Sequence, residues 1–500
     1  MSGPERERGS PFLVPIEPGG DGRAWLGCLE WEAGAGDRIV VRELQPDCRV
    51  ARELPVQDAP AEIVRPVGVL DRLGRLCVVW TEPVDGVAQL RLARLERTRD
   101  AEGREREGFT PARSLTSGRD PNRNVEAVRH SDGRVWLAWE SHRGSIDVVV
   151  APLSDDGCLG EAQVLGDGRF SDVDPVIASR GSKLEVAWSQ YQGRDYEIVL
   201  RAFDPARGER GETLNVTQDG SSDDLHPALA VAPGGDLWLA WDRLVDSTRG
   251  SSMPETQRPA AREQHDVFVM TARVRGDHVE LPAAREGWPA GAVAGAPRFS
   301  WMGGVPRLAI GGDGRPWIAY RYLLPFALGN GRKYYGEPVL VHRFGDDGWS
   351  LATEIGDSLG FAEEPALAAS SSGVLCAGQQ DRRERAATLY DGELAPAPLR
   401  EALAKQGVDV NSWFGPTGIF VTRLDRAAAG DPDPVAFVER PDRRAPQHFH
   451  PSGDALDDPI VSGASHLEVT RKSQRFTVYW GDLHRHSSIC LLYTSDAADE

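Results

Sequence analysis

Gly133-Arg134-Val135-Trp136-Leu137-Ala138-Trp139, read as GRVWLAW, is the stretch on which the fold turns. It follows the turn residues Ser131 and Asp132, and its last five positions are all apolar. A short apolar run bounded by turn signals reads as a strand buried on both faces. The pattern recurs as GRAWLGC from Gly22, GRLCVVW from Gly74 and SKLEVAW from Ser182. It returns as GDLWLAW from Gly235, GRPWIAY from Gly314 and GVLCAGQ from Gly373.

The surroundings of each heptad repeat as well. A short strand lies upstream, often opened by proline, as in PVIAS from Pro175, PALAVA from Pro227 and PRLAI from Pro306. An alternating or apolar strand lies downstream, as in IDVVVAPL from Ile146 and YEIVLRAF from Tyr196. A weaker fourth strand precedes the next unit, as in ETLNVTQ from Glu212. β-Branched and aromatic residues between Gly, Asp and Pro favour strands over helices. Four strands in a unit of roughly 50 residues match a β-propeller blade. One blade cannot cover both of its own faces, but blades packed radially cover one another. The expected fold is all-β: a propeller of seven four-stranded blades over residues 12–400, behind a disordered 1–11.

The chain has 500 residues and a net charge of −19. That balance argues against binding nucleic acid or an anionic membrane, both of which call for clustered Lys and Arg. The six cysteines lie far apart with no CxxC pair, so neither a zinc knuckle nor a disulfide framework is expected. Cys77 and Cys376 fall within apolar strand patterns, as small hydrophobes. No signal peptide and no apolar run of about 18 residues is present, which suggests a cytoplasmic protein unless a misplaced start codon hides an export signal.

Polar residues close many of the heptads: Glu30, Glu82, Glu140, Gln190, Asp242, Arg243, Arg321, Tyr322, Asp381 and Arg382. They sit at the same end of equivalent strands, where they can gather at one face of the ring. Glu140, Asp242, Arg243, Arg321, Tyr322, Asp381 and Arg382 are therefore candidate contacts for a small molecule, a sugar or a protein partner. Sialidase-like propellers are similar in using carboxylates, arginines and a tyrosine there. The residues do not share one repeat register, however, and turns such as SDGRVW lack the spacing of the Asp-box SxDxGxxW. Strand-end solvation is the competing explanation. Insertions at 244–264 and 323–337 follow the heptads of two adjacent blades, and the second brings Phe326, Arg332, Lys333, Tyr334 and Tyr335.

Beyond residue 400 the repeat stops, and 401–474 reads as a connector. It contains His448-Phe449-His450 between prolines, which reads as a solvated loop. RFTVYWGDLHRHSS, from Arg475 to Ser488, then joins an apolar strand to Asp482-Leu483-His484-Arg485-His486. Alternation along an extended chain puts Asp482, His484 and His486 on one face, where two imidazoles can converge on a divalent cation. The motif resembles the D-L-H-x-H-[ST] opening of the PHP (polymerase and histidinol phosphatase) superfamily. That resemblance implies a (β/α) barrel whose first strand supplies His484 and His486 as metal ligands with Asp482 in support. It further implies zinc, manganese or iron, and phosphoester hydrolysis. Amidohydrolases, which also open with HxH after a strand, remain an alternative. Cys490 to Glu500, CLLYTSDAADE, resembles the translation of a sequencing-library adapter. On that reading 475–489 is only the start of the PHP-like domain, 490–500 is an artefact and the partner of the propeller is the missing remainder of its own chain. The chain as it stands is then expected to be catalytically inert, its propeller serving binding or scaffolding.

Overall fold

A computed structural model describes residues 7–16, 22–32, 36–57, 59–99, 104–166, 168, 171–193, 195–218, 222–246, 265–283, 291–293, 303–322, 324–327, 333–336, 338–346, 348–355, 364–380, 418–425, 437–440, 467–471 and 474–478. All regular structure among them is β. Each GRVWLAW-type heptad contributes the second strand of an antiparallel sheet, as Val135–His142 does between Asn122–Arg129 and Ile146–Leu153. The seven first strands are Glu7–Pro15, Val64–Leu70, Asn122–Arg129, Asp172–Arg180, Ser222–Val231, Gly303–Ile310 and Ala366–Ala369. Each touches the first strands of both neighbours, and Ala366–Ala369 touches Glu7–Pro15. The ring therefore closes as a seven-bladed propeller, with the first strands around its axis.

Seven hydrophobic cores separate the seven blades. Alternation sends Leu137 and Trp139 toward blade two, among Cys77, Val79, Leu90 and Leu92. It sends Trp136 and Ala138 toward blade four, among Leu184, Val186 and Trp188. This two-sided burial is why the heptads are mostly apolar, the buried Glu185 of SKLEVAW being an exception. Cys77 and Cys376 are wholly buried in these cores, and burial pushes both thiols up to about 12. Among the described residues, the core between blades seven and one has the fewest buried members: Leu26, Leu44, Ala366 and Ala377.

Two expected boundaries change. Glu7–Pro15 is an ordered strand paired with Ala24–Glu32, so order begins inside the 1–11 segment expected to be disordered. Phe12 and Val14, both buried in the core between blades one and two, anchor it. At the other end, blade seven takes its third strand from Gly418–Asp425, which pairs with Gly373–Gln380. The ring thus extends past residue 400 into the expected connector. Phe437–Glu439 then adds a fifth strand to the outer edge of blade five. Phe437 meets Trp238 and Phe344 edge-on, and the Arg273 guanidinium lies 4.4 Å from its ring centre. The chain following the last blade is in this way fastened across blades five and six.

Candidate functional site

The first strands carry a feature that no heptad reveals. In six blades the pairing of first and second strands slips at one place: Gly9/Phe12, Val64/Val67, Arg123/Glu126, Val173/Val176, Leu225/Ala228 and Gly304/Arg307. One residue in each bulge has a left-handed backbone: Ser10, Arg65, Asn124, Asp174, His226 and Val305, with φ between 44° and 52°. Such a conformation costs a non-glycine residue about 1–3 kcal/mol, and a bulge re-aims the side chain that sits in it. Proline follows at five of the six positions, and Glu364-Pro365 precedes the first strand of blade seven in the same way. The residue ahead of the strand-opening proline is thus presented to the mouth of the ring.

Ionisable groups meet there from six blades. Arg65, of blade two, lies 2.8 Å from Glu364, 3.5 Å from Asp174 and 3.6 Å from Glu126. Arg307, two residues past the bulge of blade six, also pairs with Glu364. Burial, and then the neighbouring Arg65, hold the Arg307 guanidinium down to about 10, so it is still charged at neutral pH. His226 Nδ1 is 2.9 Å from Asp242, and its Nε2 is 3.7 Å from Asp174. Burial disfavours its protonation, but Asp242 and Asp174 outweigh that and raise its pKa. The Tyr196 phenol is pushed up by burial, and by the carboxylates of Asp223, Asp174 and Glu140.

The expected heptad-end residues fall into two sets of opposite parity. Glu140, Asp242 and Arg321 immediately follow their heptads and face the next blade. Glu140 accepts hydrogen bonds from Asn124 Nδ2 at 2.7 Å and from the Asp174 backbone N–H at 2.8 Å. Asp242 receives His226 from its own blade, and the Val305 backbone N–H of blade six points to it at 3.4 Å. These two carboxylates therefore brace the bulges on which the mouth is built. Arg321 is buried at the same position in blade six. Arg243 and Tyr322, one residue further on, face the preceding blade. Arg243 donates twice to Asp224, at 2.7 and 2.6 Å, and Tyr322 lies in the core between blades five and six. Asp381 and Arg382 lie outside the described residues, as do Asp482, His484 and His486.

The insertion at 323–337 contains a hairpin, Leu324–Ala327 with Lys333–Gly336, in which Phe326 is the register partner of Tyr334. It leaves from the same end of its strand as the heptad-end residues. Arg332 lies outside the described residues. Among those described, no group of three or more His, Cys, Asp or Glu is placed to hold a metal ion. No helix among them is long and apolar enough to cross a membrane.

Sequence reasoning missed Arg65, Glu126, Asp174, His226, Arg307 and Glu364. The signal available was the residue before each strand-opening proline, together with the residue two places further along.

No family model and no curated protein matches the chain. Among solved structures, polysaccharide lyase Uly1 aligns with a TM-score of 0.44 and 9% identity, over 73% of this chain and 87% of its own. The Penicillium chrysogenum alpha-L-arabinanase complexed with arabinobiose gives 0.41 and 11%, over 64% and 88%. The Trypanosoma rangeli sialidase in complex with the inhibitor DANA gives 0.39 and 10%, over 68% and 55%. None of these similarities reaches a level at which an activity transfers.

Proposed function

We propose that the propeller is a recognition module that takes a polar, polyhydroxylated ligand over its central mouth, and that it serves a metal-dependent hydrolase. The observation that carries the first part is the shared position of Arg65, Asp174, His226 and Glu364. Four blades place an ionisable side chain at one structural site, and the arms of Arg65 reach across the axis to join them. Ser10 and Val305 hold that site in two other blades, so the fold itself does not require charge there. Half-buried ion pairs add little over apolar side chains of the same size, and gathered ionisable groups mark functional sites. Donors and acceptors in fixed alternation suit the hydroxyl groups of a sugar. Titration calorimetry with neutral and acidic oligosaccharides tests this. Saturable binding is expected, weakened about ten-fold by Asp174→Asn. Absence of binding across the panel, or binding indifferent to that change, would overturn the reading.

The second part rests on the motif Asp482-Leu483-His484-Arg485-His486-Ser487. By its PHP resemblance, His484 and His486 would bind zinc, manganese or iron, with Asp482 orienting them. Two imidazoles alone hold a metal weakly, so this chain is expected to show no phosphoester turnover when zinc, manganese or iron is supplied. Turnover that disappears in His484→Ala would refute that inertness.

A further inference from the structure

Arg65 and Arg307 come from blades two and six, and both meet the carboxylate of Glu364. Arg65 Nη2 donates to Glu364 Oε1 at 2.8 Å, whereas Asp174 and Glu126 stand beyond hydrogen-bond reach of the same guanidinium, at 3.5 and 3.6 Å. Glu364 is therefore the anion seated between two cations that would otherwise repel each other. Both arms of this fork are held in sheet: Arg65 lies in Val64–Leu70 and Arg307 in Gly303–Ile310. Glu126, Asp174 and Asp242 also belong to strands. Glu364 does not. It lies in a bend two residues before Ala366–Ala369, and its side chain keeps 28% of its exposure. A carboxylate outside the ladder can swing away, while the guanidiniums that grip it stay in place.

We propose that the Arg65–Arg307 fork receives the carboxylate of an acidic ligand, a sugar of the uronic acid type, and that Glu364 is its built-in competitor. The inference rests on the recognition reading above and names the ligand class for the same mouth. One carboxylate oxygen can accept charge-assisted hydrogen bonds from two guanidiniums, and Glu364 Oε1, which both arginines reach, displays that arrangement with an internal occupant. An incoming carboxylate must displace this tethered one, so affinity in the native chain is held down by the cost of opening the pair.

The test compares D-glucuronate, D-glucose and glucose 6-phosphate on the whole chain and on Glu364→Gln, by titration calorimetry. Glu364→Gln removes the competing charge and is expected to tighten glucuronate about ten-fold while leaving glucose unchanged. Adding Arg65→Met to it is expected to abolish the gain. Glu364→Asp, which keeps the charge but shortens its reach, is expected to act in the same direction if the Gln variant folds poorly. Glucose bound as well as glucuronate by Glu364→Gln would overturn the carboxylate fork and leave the recognition reading intact. A gain seen only with glucose 6-phosphate would overturn the carboxylate assignment in favour of phosphate. No binding of any of the three by either protein would overturn both the fork and the recognition reading.

Discussion

Trp241→Ala is expected to cost about 3–5 kcal/mol of stability, the range for emptying a large aromatic site in a packed core. Trp241 is 1% exposed, between blades four and five among Ala187, Ile198 and Met270. Its indole N–H also donates to Asp224 Oδ1 at 2.8 Å. Asp224 has no exposure, and its remaining partners include the paired N–H groups of Arg243. Removing the indole therefore leaves a buried carboxylate short of a donor as well as a void. Comparison with Trp188 isolates the polar share. Trp188 is equally buried at the same repeat position in blade four, but its indole N–H finds no hydrogen-bond acceptor among the described residues. Trp241→Phe should then cost about 1.5–3 kcal/mol more than Trp188→Phe, the worth of a hydrogen bond to a charged group. Urea unfolding of the three variants reads both quantities. Equal losses for the two Phe variants would show that the indole–carboxylate bond contributes nothing.

The same contrast explains what the amino-acid sequence makes visible. Every second strand is covered on both faces, so its heptad is mostly apolar, and GRVWLAW and its counterparts announce the blades and their number. The edges of the ring are harder to read. Gly418–Asp425 is separated from its partner Gly373–Gln380 by residues 381–417, a connection that no local repeat anticipates. Glu7–Pro15 begins with Glu-Arg-Gly-Ser, which looks like solvated chain until Arg8 is seen to pair with Glu30 at 2.9 Å. The mouth was hidden for a different reason. Its shared position holds Ser, Arg, Asn, Asp, His, Val and Glu in turn. A search for likeness between units passes over the very place where they differ most. What the seven share there is backbone: a left-handed residue and a slipped register in six blades, and in six a proline next in line. Glu140 and Asp242 were found because they end apolar strands, but their work is to hold the neighbouring blade's bulge. That function depends on which face of the strand they occupy.

One irregularity of the heptads gives the second large expected effect. The sixth position is Ala138, Ala187, Ala240 and Ala319 in blades three to six, all with no exposure, yet glycine in blades one and seven. In both glycine blades the cross-strand partner is phenylalanine: Gly27 pairs with Phe12 and Gly378 with Phe420. A Cβ on Gly27 would stand 2.0 Å from Phe12 Cζ, and one on Gly378 would stand 2.4 Å from Phe420 Cζ. Each ring lies flat over the space a methyl group would take, so glycine here answers a volume demand and not a backbone one. Gly68 of blade two completes the hollow, its Cβ position lying 2.5 Å from the same Phe12 ring. Gly27→Ala is then expected to cost about 1–3 kcal/mol through overpacking, and Phe12→Ala about 3–5 kcal/mol through the cavity it opens. Combined, the two should cost less than their sum by about 0.5–3 kcal/mol, because the methyl group partly refills the cavity that the lost ring leaves. Strictly additive losses in urea would mean that Phe12 and Gly27 do not share one packed volume. The site lies in the core where blade one meets blade two. Overpacking there should accordingly raise amide exchange first in Glu7–Pro15 and Val64–Leu70, before the blades on the far side of the ring are affected.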